Sequence, residues 1–150
     1  MEKKQIGFFV NSIKDQTIYS DEYRLRQVMD NLIRNALDFV SENTGKITID
    51  ISSDFENVTF SVQDNGIGIS EENQKNVFKK FFQVNSTAKR SHGGTGLGLM
   101  ICKGIVEELG GKIWLKSETG KGTTFYFQIP KNIENNLVTN PSNIKEEDSE

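Results

Sequence analysis

Apolar residues follow two different spacings along this 150-residue chain, and each spacing predicts its own kind of element. In residues 6–10 apolar side chains alternate along the chain, which predicts a strand, and residues 17–19 predict a second, shorter strand. Between residues 22 and 41 the apolar positions recur every three or four residues instead. This spacing predicts an amphipathic helix that begins behind an Asp21 cap.

The middle of the chain predicts a pair of strands, a short helix and a loop. Residues 47–51 and 58–62 alternate in the same way and predict two neighbouring strands. Ser70 is a suitable cap for a short helix that ends in four large apolar residues, Val77, Phe78, Phe81 and Phe82. Residues 83–95 are polar and glycine-rich, which is typical of a mobile surface loop and predicts a lid.

The last third predicts a helix, a hairpin and a tail. The second long helix spans residues 97–109 and ends at Gly110-Gly111, and strands 112–116 and 123–129 are joined by a glycine turn, with Pro130 closing the second. Residues 132–150 carry too few apolar groups to offset the entropy of ordering, so we expect a disordered acidic tail after a domain of residues 1–131. The order of elements favours an α/β two-layer sandwich (α+β) with helices on one face of a mixed sheet.

Composition excludes several function classes. The net charge of −3 argues against a nucleic-acid surface, which needs clustered basic residues. No apolar run reaches the roughly 18 residues that span a bilayer, and no signal peptide begins the chain, so we expect a cytoplasmic domain without membrane contact. Cys102 is the single cysteine, and its apolar helix predicts a packed thiol without a chemical role.

Two polar features suggest a ligand site, although each has an ordinary alternative. Asn31, Asn35 and Asp38 fall on one flank of the first helix, with Phe39 at its edge, but such amides are also common on solvated helices. Asp64-Asn-Gly-Ile-Gly68 follows a strand and is typical of a plain turn. An aspartate at a strand end can also accept a hydrogen bond from an amino group such as that of adenine.

Residues 93–98 form the best phosphate-binding segment of the chain. Four glycines lead into a helix N-terminus, where unpaired N–H groups and the helix dipole favour an anion. The segment is not a Walker loop, because no Lys-Ser or Lys-Thr follows the last glycine. It is not a dinucleotide fingerprint either, because the third glycine and the distal acid of that motif are missing. Taken alone, a glycine-rich run is also typical of a flexible linker.

Four segments, in this order, resemble the asparagine, first glycine, phenylalanine and second glycine boxes of sensor histidine kinases. They are Asn31-Leu-Ile-Arg-Asn35-Ala, Asp64-Asn-Gly-Ile-Gly68, Phe78-Lys-Lys-Phe-Phe82 and Gly94-Thr-Gly-Leu-Gly98-Leu. The resemblance covers roughly residues 5–131, through Gly120-Lys-Gly-Thr123, and fails over the tail. It implies the Bergerat (GHKL) ATP-binding fold, a mixed five-stranded sheet with about three helices packed on one face.

The resemblance also implies a role for individual residues. Asn35 would bind the Mg²⁺ that bridges the ATP phosphates, with Asn31 in support, and Asp64 would read the adenine amino group. The residues implied to contact the nucleotide elsewhere are Phe39, Gly66, Gly68, Gly94, Thr95, Gly96, Leu97 and Gly98, with Lys89 or Arg90 of the lid as charge partners. Phe39 has an ordinary core role as its alternative. Asp38 stands where the family commonly has a basic residue, and we interpret it as a solvated helix residue.

The implied activity is phosphoryl transfer from Mg-ATP to a histidine in two-component signal transduction. Related ATPases place a glutamate base where this chain has Asn31, so we expect weak ATP hydrolysis. His92 lies in the lid, so the acceptor histidine is expected on a separate dimerisation domain, upstream or in another chain, with a response regulator served indirectly and this domain a monomer. Two alternatives stay open: a nucleotide-binding regulatory module, and a serine kinase of the anti-sigma type.

Overall fold

The computed structural model describes residues 5–12, 18–80, 82 and 97–131. Five strands and three helices follow one another in that part of the chain. In chain order they are β1 (Gly7–Ser12), α1 (Glu22–Phe39), β2 (Lys46–Ser53), β3 (Asn57–Asp64), α2 (Glu71–Gln74), α3 (Gly98–Glu108), β4 (Lys112–Glu118) and β5 (Gly122–Pro130). The predicted lid, residues 83–95, and the predicted tail, residues 132–150, lie outside the described residues.

The five strands form one mixed sheet in the order β1-β2-β3-β5-β4. β1 pairs parallel with β2, whereas the three other strand pairs are antiparallel. The parallel pair requires a long crossover, which α1 supplies between the two strands. The predicted mixed sheet of five strands is therefore confirmed.

The helices cover one face of this sheet and form the core with it. α1 buries Val28, Leu32 and Ala36, and α3 buries Cys102, Ile105 and Val106. They pack against alternate residues of the central strands, namely Ile47, Ile49, Val62, Phe125, Phe127 and Ile129. Each such side chain contributes about 1.5–3 kcal/mol when it is removed from water. The two-layer arrangement follows, because the sheet and the two long helices each have one apolar side.

The opposite face of the sheet carries polar and aromatic side chains. The rings of Trp114 and Tyr126 stack there with centroids 5.3 Å apart. The ammonium groups of Lys112 and Lys116 lie 5.1 and 5.7 Å from the centroids of these two rings, respectively. These contacts shield the aromatic surface without a covering helix.

The predicted caps of α1 and α2 are confirmed, but two predicted elements are shorter in the structure than the sequence predicts. Asp21 caps α1 by accepting from the Arg24 N–H at 3.1 Å, and Ser70 caps α2 by accepting from the Asn73 N–H at 3.3 Å. The prediction that the helix after Ser70 continues to residues 77–82 is wrong, because α2 ends at Gln74. The chain then makes successive turns in which an N–H donates to the carbonyl three residues earlier. The Val77 side chain, 4% exposed, packs in the core.

The predicted second strand, residues 17–19, is reduced to a single β-bridge at Tyr19. Ile18 belongs to no strand, and Thr17 lies outside the described residues. The Tyr19 N–H makes one backbone bond to the Lys131 carbonyl, with a donor–acceptor distance of 3.4 Å. A longer ladder is prevented because the chain enters the cap of α1 two residues later.

Candidate functional site

Asp64, the last residue of β3, is a buried carboxylate in the floor of the site. It is 3% exposed and lies opposite Ile47 of β2 and Thr123 of β5 in the sheet. Its Oδ1 accepts from the Gly66 N–H at 2.9 Å and from the Thr123 N–H at 3.3 Å. Burial raises the pKa of this carboxyl despite the two hydrogen bonds, which act to lower it. The backbone therefore fixes the orientation of an acid that has been removed from solvent.

Gly66 lets the chain after Asp64 pass against the end of α1. A methyl group at this position would overlap the carbonyl oxygen of Phe39 and approach Asp64 Oδ1 at 2.9 Å. Gly68, two residues further, has a φ of 72° and passes equally close to the Glu118 carbonyl. The structure thus brings the predicted residues Phe39, Asp64 and Gly66 together, whereas Gly68 packs against the turn between β4 and β5.

Asn65 is a second anchor of this turn, and sequence reasoning did not select it as a site residue. Its Oδ1 accepts from the Lys46 N–H at 2.7 Å, and its Nδ2 donates to the Thr44 carbonyl at 3.0 Å. Its own N–H donates to the Lys46 carbonyl at 3.2 Å. These bonds tie the turn to the loop between α1 and β2. The Asn65-Gly66 pair indicates a turn in the sequence, but it does not indicate which backbone groups the Asn65 side chain bonds to.

The other half of the site lies where α1 meets the start of α3. Asn31, Asn35 and Asp38 of α1 are all half-buried, at the border between the packed and solvated sides of the helix. A methyl group added at Gly98, the first residue of α3, would lie 3.4 Å from Asn31 Oδ1. The Asn31 amide therefore lies close to the N-terminus of α3. From Asn31 to Phe39 the helix rises about 12 Å, which is the length scale of a nucleoside triphosphate.

The N-terminus of α3 has the features expected of an anion site. Leu97 is the N-cap and makes no side-chain capping bond, and no acidic residue stands in the first turn. Free N–H groups and the helix dipole at such an end favour a phosphate. Five predicted contact residues, Lys89, Arg90, Gly94, Thr95 and Gly96, lie outside the described residues, as does His92.

Ser117 and Thr123 are polar neighbours of Asp64 that sequence reasoning did not select as site residues. Ser117 of β4 lies opposite Thr123 of β5, and their hydroxyl oxygens are 2.7 Å apart. Ser117 Oγ also accepts from the Ile69 N–H at 2.8 Å. Thr123 is weakly indicated in the sequence, because it ends the matched segment Gly120-Lys-Gly-Thr123. Ser117 is not indicated there, because the Ile69 N–H that this side chain accepts from is distant in sequence.

Cys102 has the packed role that its helix predicted. It is 0% exposed, and its thiol lies 3.8 Å from the Val28 carbonyl, to which it donates. Burial raises its pKa to about 12, although a hydrogen bond with the Asn31 side chain acts in the opposite direction. The thiol consequently stays protonated and contributes packing between α1 and α3.

The described residues contain no cluster of three or more His, Cys, Asp or Glu side chains that could hold a metal ion. A cation at this site would therefore depend on amide oxygens and on the ligand's own phosphates. The Asn35 side chain carries an amide oxygen, which is the type of donor that a hard cation such as Mg²⁺ prefers.

None of the helices among the described residues is long and apolar enough to cross a membrane.

Comparison with known proteins agrees with this geometry. Residues 20–133 match the family model of histidine kinase-, DNA gyrase B- and HSP90-like ATPases. The chain is 41% identical over 134 residues to the sensor histidine kinase WalK of Bacillus subtilis (strain 168), covering 87% of this chain and 22% of WalK.

Two solved structures extend the comparison to the fold. The nucleotide-free catalytic domain of histidine kinase ThkA is similar with a TM-score of 0.72 and 36% identity, covering 85% of this chain and 81% of that one. Full-length ShkA in complex with AMPPNP is similar with a TM-score of 0.73 and 31% identity, covering 85% of this chain and 26% of ShkA.

The chain therefore belongs to the family of histidine kinase-, DNA gyrase B- and HSP90-like ATPases. Within that family it is an ATP-binding catalytic domain of the sensor histidine kinase type, with the α/β sandwich of its relatives. It spans about a fifth of the length of its relative WalK.

Proposed function

We propose that this domain binds Mg-ATP and supplies its γ-phosphoryl group to a histidine on a separate phosphoacceptor domain. The observation that carries the proposal is Asp64, a carboxylate that is 3% exposed, oriented by two backbone N–H groups and placed beside a glycine turn. Among the described residues Asp64 has no cationic partner, and a buried acid of this kind is costly to a fold unless it serves a ligand. The complex of the similar protein ShkA with AMPPNP supports a nucleotide as that ligand.

The base end of the site is assigned to adenine. An ionised carboxylate only accepts hydrogen bonds, so Asp64 selects a ligand with an N–H donor, such as the exocyclic amino group of adenine. Gly66 leaves no side chain between that carboxylate and the end of α1. Phe39, half-buried as the last residue of α1, supplies an apolar neighbour for the base.

The phosphate end is assigned to α1 and the start of α3. The first turn of α3, at Leu97 and Gly98, places its backbone N–H groups near Asn31, and Asn35 follows one turn along α1. We assign Mg²⁺ to the Asn35 amide oxygen, where the ion would neutralise charge on the transferring phosphoryl group. Contacts by Gly94, Thr95 and Gly96, and by Lys89 or Arg90, remain predictions from the sequence.

Transfer is favoured over hydrolysis by the nature of Asn31. An amide cannot take a proton from water at neutral pH, and this amide lies against Gly98 of α3. A neutral imidazole needs no such base, because its ring nitrogen carries a free lone pair. That nitrogen would bond to the γ-phosphorus while the bond from phosphorus to the ADP oxygen breaks.

The acceptor domain would approach the exposed side of α1. A cleft of about 260 Å³ adjoins Asn31 there and is lined by Tyr23, Arg26, Gln27, Asp30 and Arg34. This side is continuous with the phosphate end of the site through Asn31. A response regulator would then receive the phosphoryl group from the acceptor histidine, which places it one step away from this domain.

Calorimetric titration with a non-hydrolysable ATP analogue, with and without Mg²⁺, tests the two assigned roles. We expect Asp64→Asn to abolish binding and Asn35→Ala to make the remaining binding insensitive to Mg²⁺. Asp54→Asn is the matched control, because this exposed carboxylate also accepts from two backbone N–H groups, of Glu56 and Asn57, at the other end of β3. Absence of saturable binding by the unmodified domain would refute the proposal.

Phosphotransfer is tested by adding a separate acceptor-helix domain and labelled ATP. The label should move to that domain and be lost in acid, because a phosphohistidine is acid-labile. A label that survives acid would indicate the serine kinase alternative. Label retained on His92 of the isolated domain would contradict the need for a separate acceptor.

A further inference from the structure

The Ser117 hydroxyl has three partners, which together use its complete hydrogen-bonding capacity. It accepts from the Ile69 N–H at 2.8 Å, donates to the Gly122 carbonyl at 3.0 Å, and lies 2.7 Å from Thr123 Oγ1. A hydroxyl has one donor proton and two acceptor positions. All three contacts are satisfied at the same time only when the single Ser117 proton goes to the Gly122 carbonyl, because that carbonyl can only accept.

The direction of the remaining bond follows from this count. With its proton committed to Gly122, Ser117 can only accept at the third contact, so the Thr123 hydroxyl must donate to Ser117. The Thr123 oxygen is then left with its lone pairs as the groups available to a ligand. Thr123 is 5% exposed, so bulk water does not readily reorient it.

We infer that Ser117 is a positioning residue that fixes Thr123 as a hydrogen-bond acceptor, and thereby makes the base end of the site specific for purines with an amino group at position 6. The inference rests on the proposed function. Asp64 and Thr123 face each other in register, and the Thr123 N–H donates to Asp64 Oδ1 at 3.3 Å. Two neighbouring acceptors favour the amino group of adenine and repel the 6-oxo group of hypoxanthine, directly or through a bridging water.

Ser117 also has a structural role that must be separated from this one. The Ile69 N–H depends on it, and Gln74 Nε2 of α2 donates to the carbonyls of Ile69 and Ser117 at 2.7 and 3.1 Å. Loss of the hydroxyl therefore loosens the turn after Asp64 for every nucleotide alike. This structural effect weakens the binding of every nucleotide by the same factor. It therefore cancels in the ratio of the affinities for two nucleotides that differ only at position 6.

The test compares ADP with inosine diphosphate, by calorimetry, on the whole domain. The unmodified domain should prefer ADP, and Ser117→Ala should lower that preference about threefold to tenfold, the range of one net hydrogen bond. Ser117→Thr keeps the hydroxyl and should restore the preference. Ser61→Ala is the matched control, since it removes another buried hydroxyl of the sheet outside this network, and it should leave the preference unchanged.

A double-mutant cycle tests the route through Thr123. Thr123→Val removes the acceptor and should itself lower the preference for ADP, and adding Ser117→Ala should change it no further. Equal weakening of ADP and inosine diphosphate by Ser117→Ala would overturn the inference, as would an unchanged preference in Thr123→Val. If the unmodified domain binds neither nucleotide, the proposed function fails and the inference falls with it.

Discussion

Gly66 is the position where a single methyl group should damage both the fold and the site. In Gly66→Ala the added carbon would overlap the Phe39 carbonyl, which belongs to the backbone of α1 and cannot move as a side chain does. It would also press on Asp64 Oδ1 from 2.9 Å. We expect the turn after Asp64 to be forced away from α1.

The magnitude follows from two opposing terms. Overpacking of this kind costs about 1–3 kcal/mol, whereas replacing glycine by alanine returns about 0.4–1 kcal/mol by restricting the unfolded chain. The net expectation is a loss of about 1–2 kcal/mol. Gly104 is the matched control, because it lies inside α3 with nothing within 4 Å of an added methyl group. Gly104→Ala should stabilise the domain by about 0.5–1 kcal/mol.

Thermal unfolding and nucleotide titration measure the two effects. Gly66→Ala should lower the melting temperature by about 3–10 °C, and Gly104→Ala should raise it by about 2–5 °C. Nucleotide affinity should fall at least about tenfold in the first variant, through the displaced Asp64, and stay unchanged in the second. The reasoning would be refuted if Gly66→Ala were as stable as the unmodified domain and bound nucleotide equally well.

Three further predictions concern single groups. Burial raises the pKa of Asp64, so the stability that this carboxyl contributes is present below its unfolded pKa and is lost as the pH rises through its folded pKa. Asp64→Asn should therefore raise the melting temperature of the nucleotide-free domain at neutral pH, with a gain that shrinks toward acidic pH; a lower melting temperature at neutral pH would contradict this. Asp21→Ala removes the N-cap of α1 and should cost about 1 kcal/mol in denaturant unfolding, with little effect on nucleotide affinity. Cys102, with a pKa of about 12 and no exposed surface, should resist alkylation at neutral pH until the domain is unfolded, and rapid labelling of the native domain would show that α1 and α3 separate.

Local contacts explain why much of the fold could be predicted. Asp21 and Ser70 bond to N–H groups three residues away, so their capping roles are visible in the sequence itself. The alternation of β2, β3 and β5 is equally local, because successive side chains of a strand point to opposite faces. The helix after Ser70 was predicted too long because its end depends on Val77 entering a core formed by distant strands.

The sequence by itself determined most of the elements, the caps of α1 and α2, and the family, since spacing and ordered motifs are properties of the chain alone. It also singled out Asp64, Gly66 and Asn31 as site residues, because their residue types suit a nucleotide. Only the tertiary structure decided that β1 runs parallel to β2, that Asn31 meets Gly98, and that Asp64, Thr123 and Ser117 lie side by side across three strands. These relations join residues far apart in the chain, and they arise because the sheet and helices bury their apolar sides together.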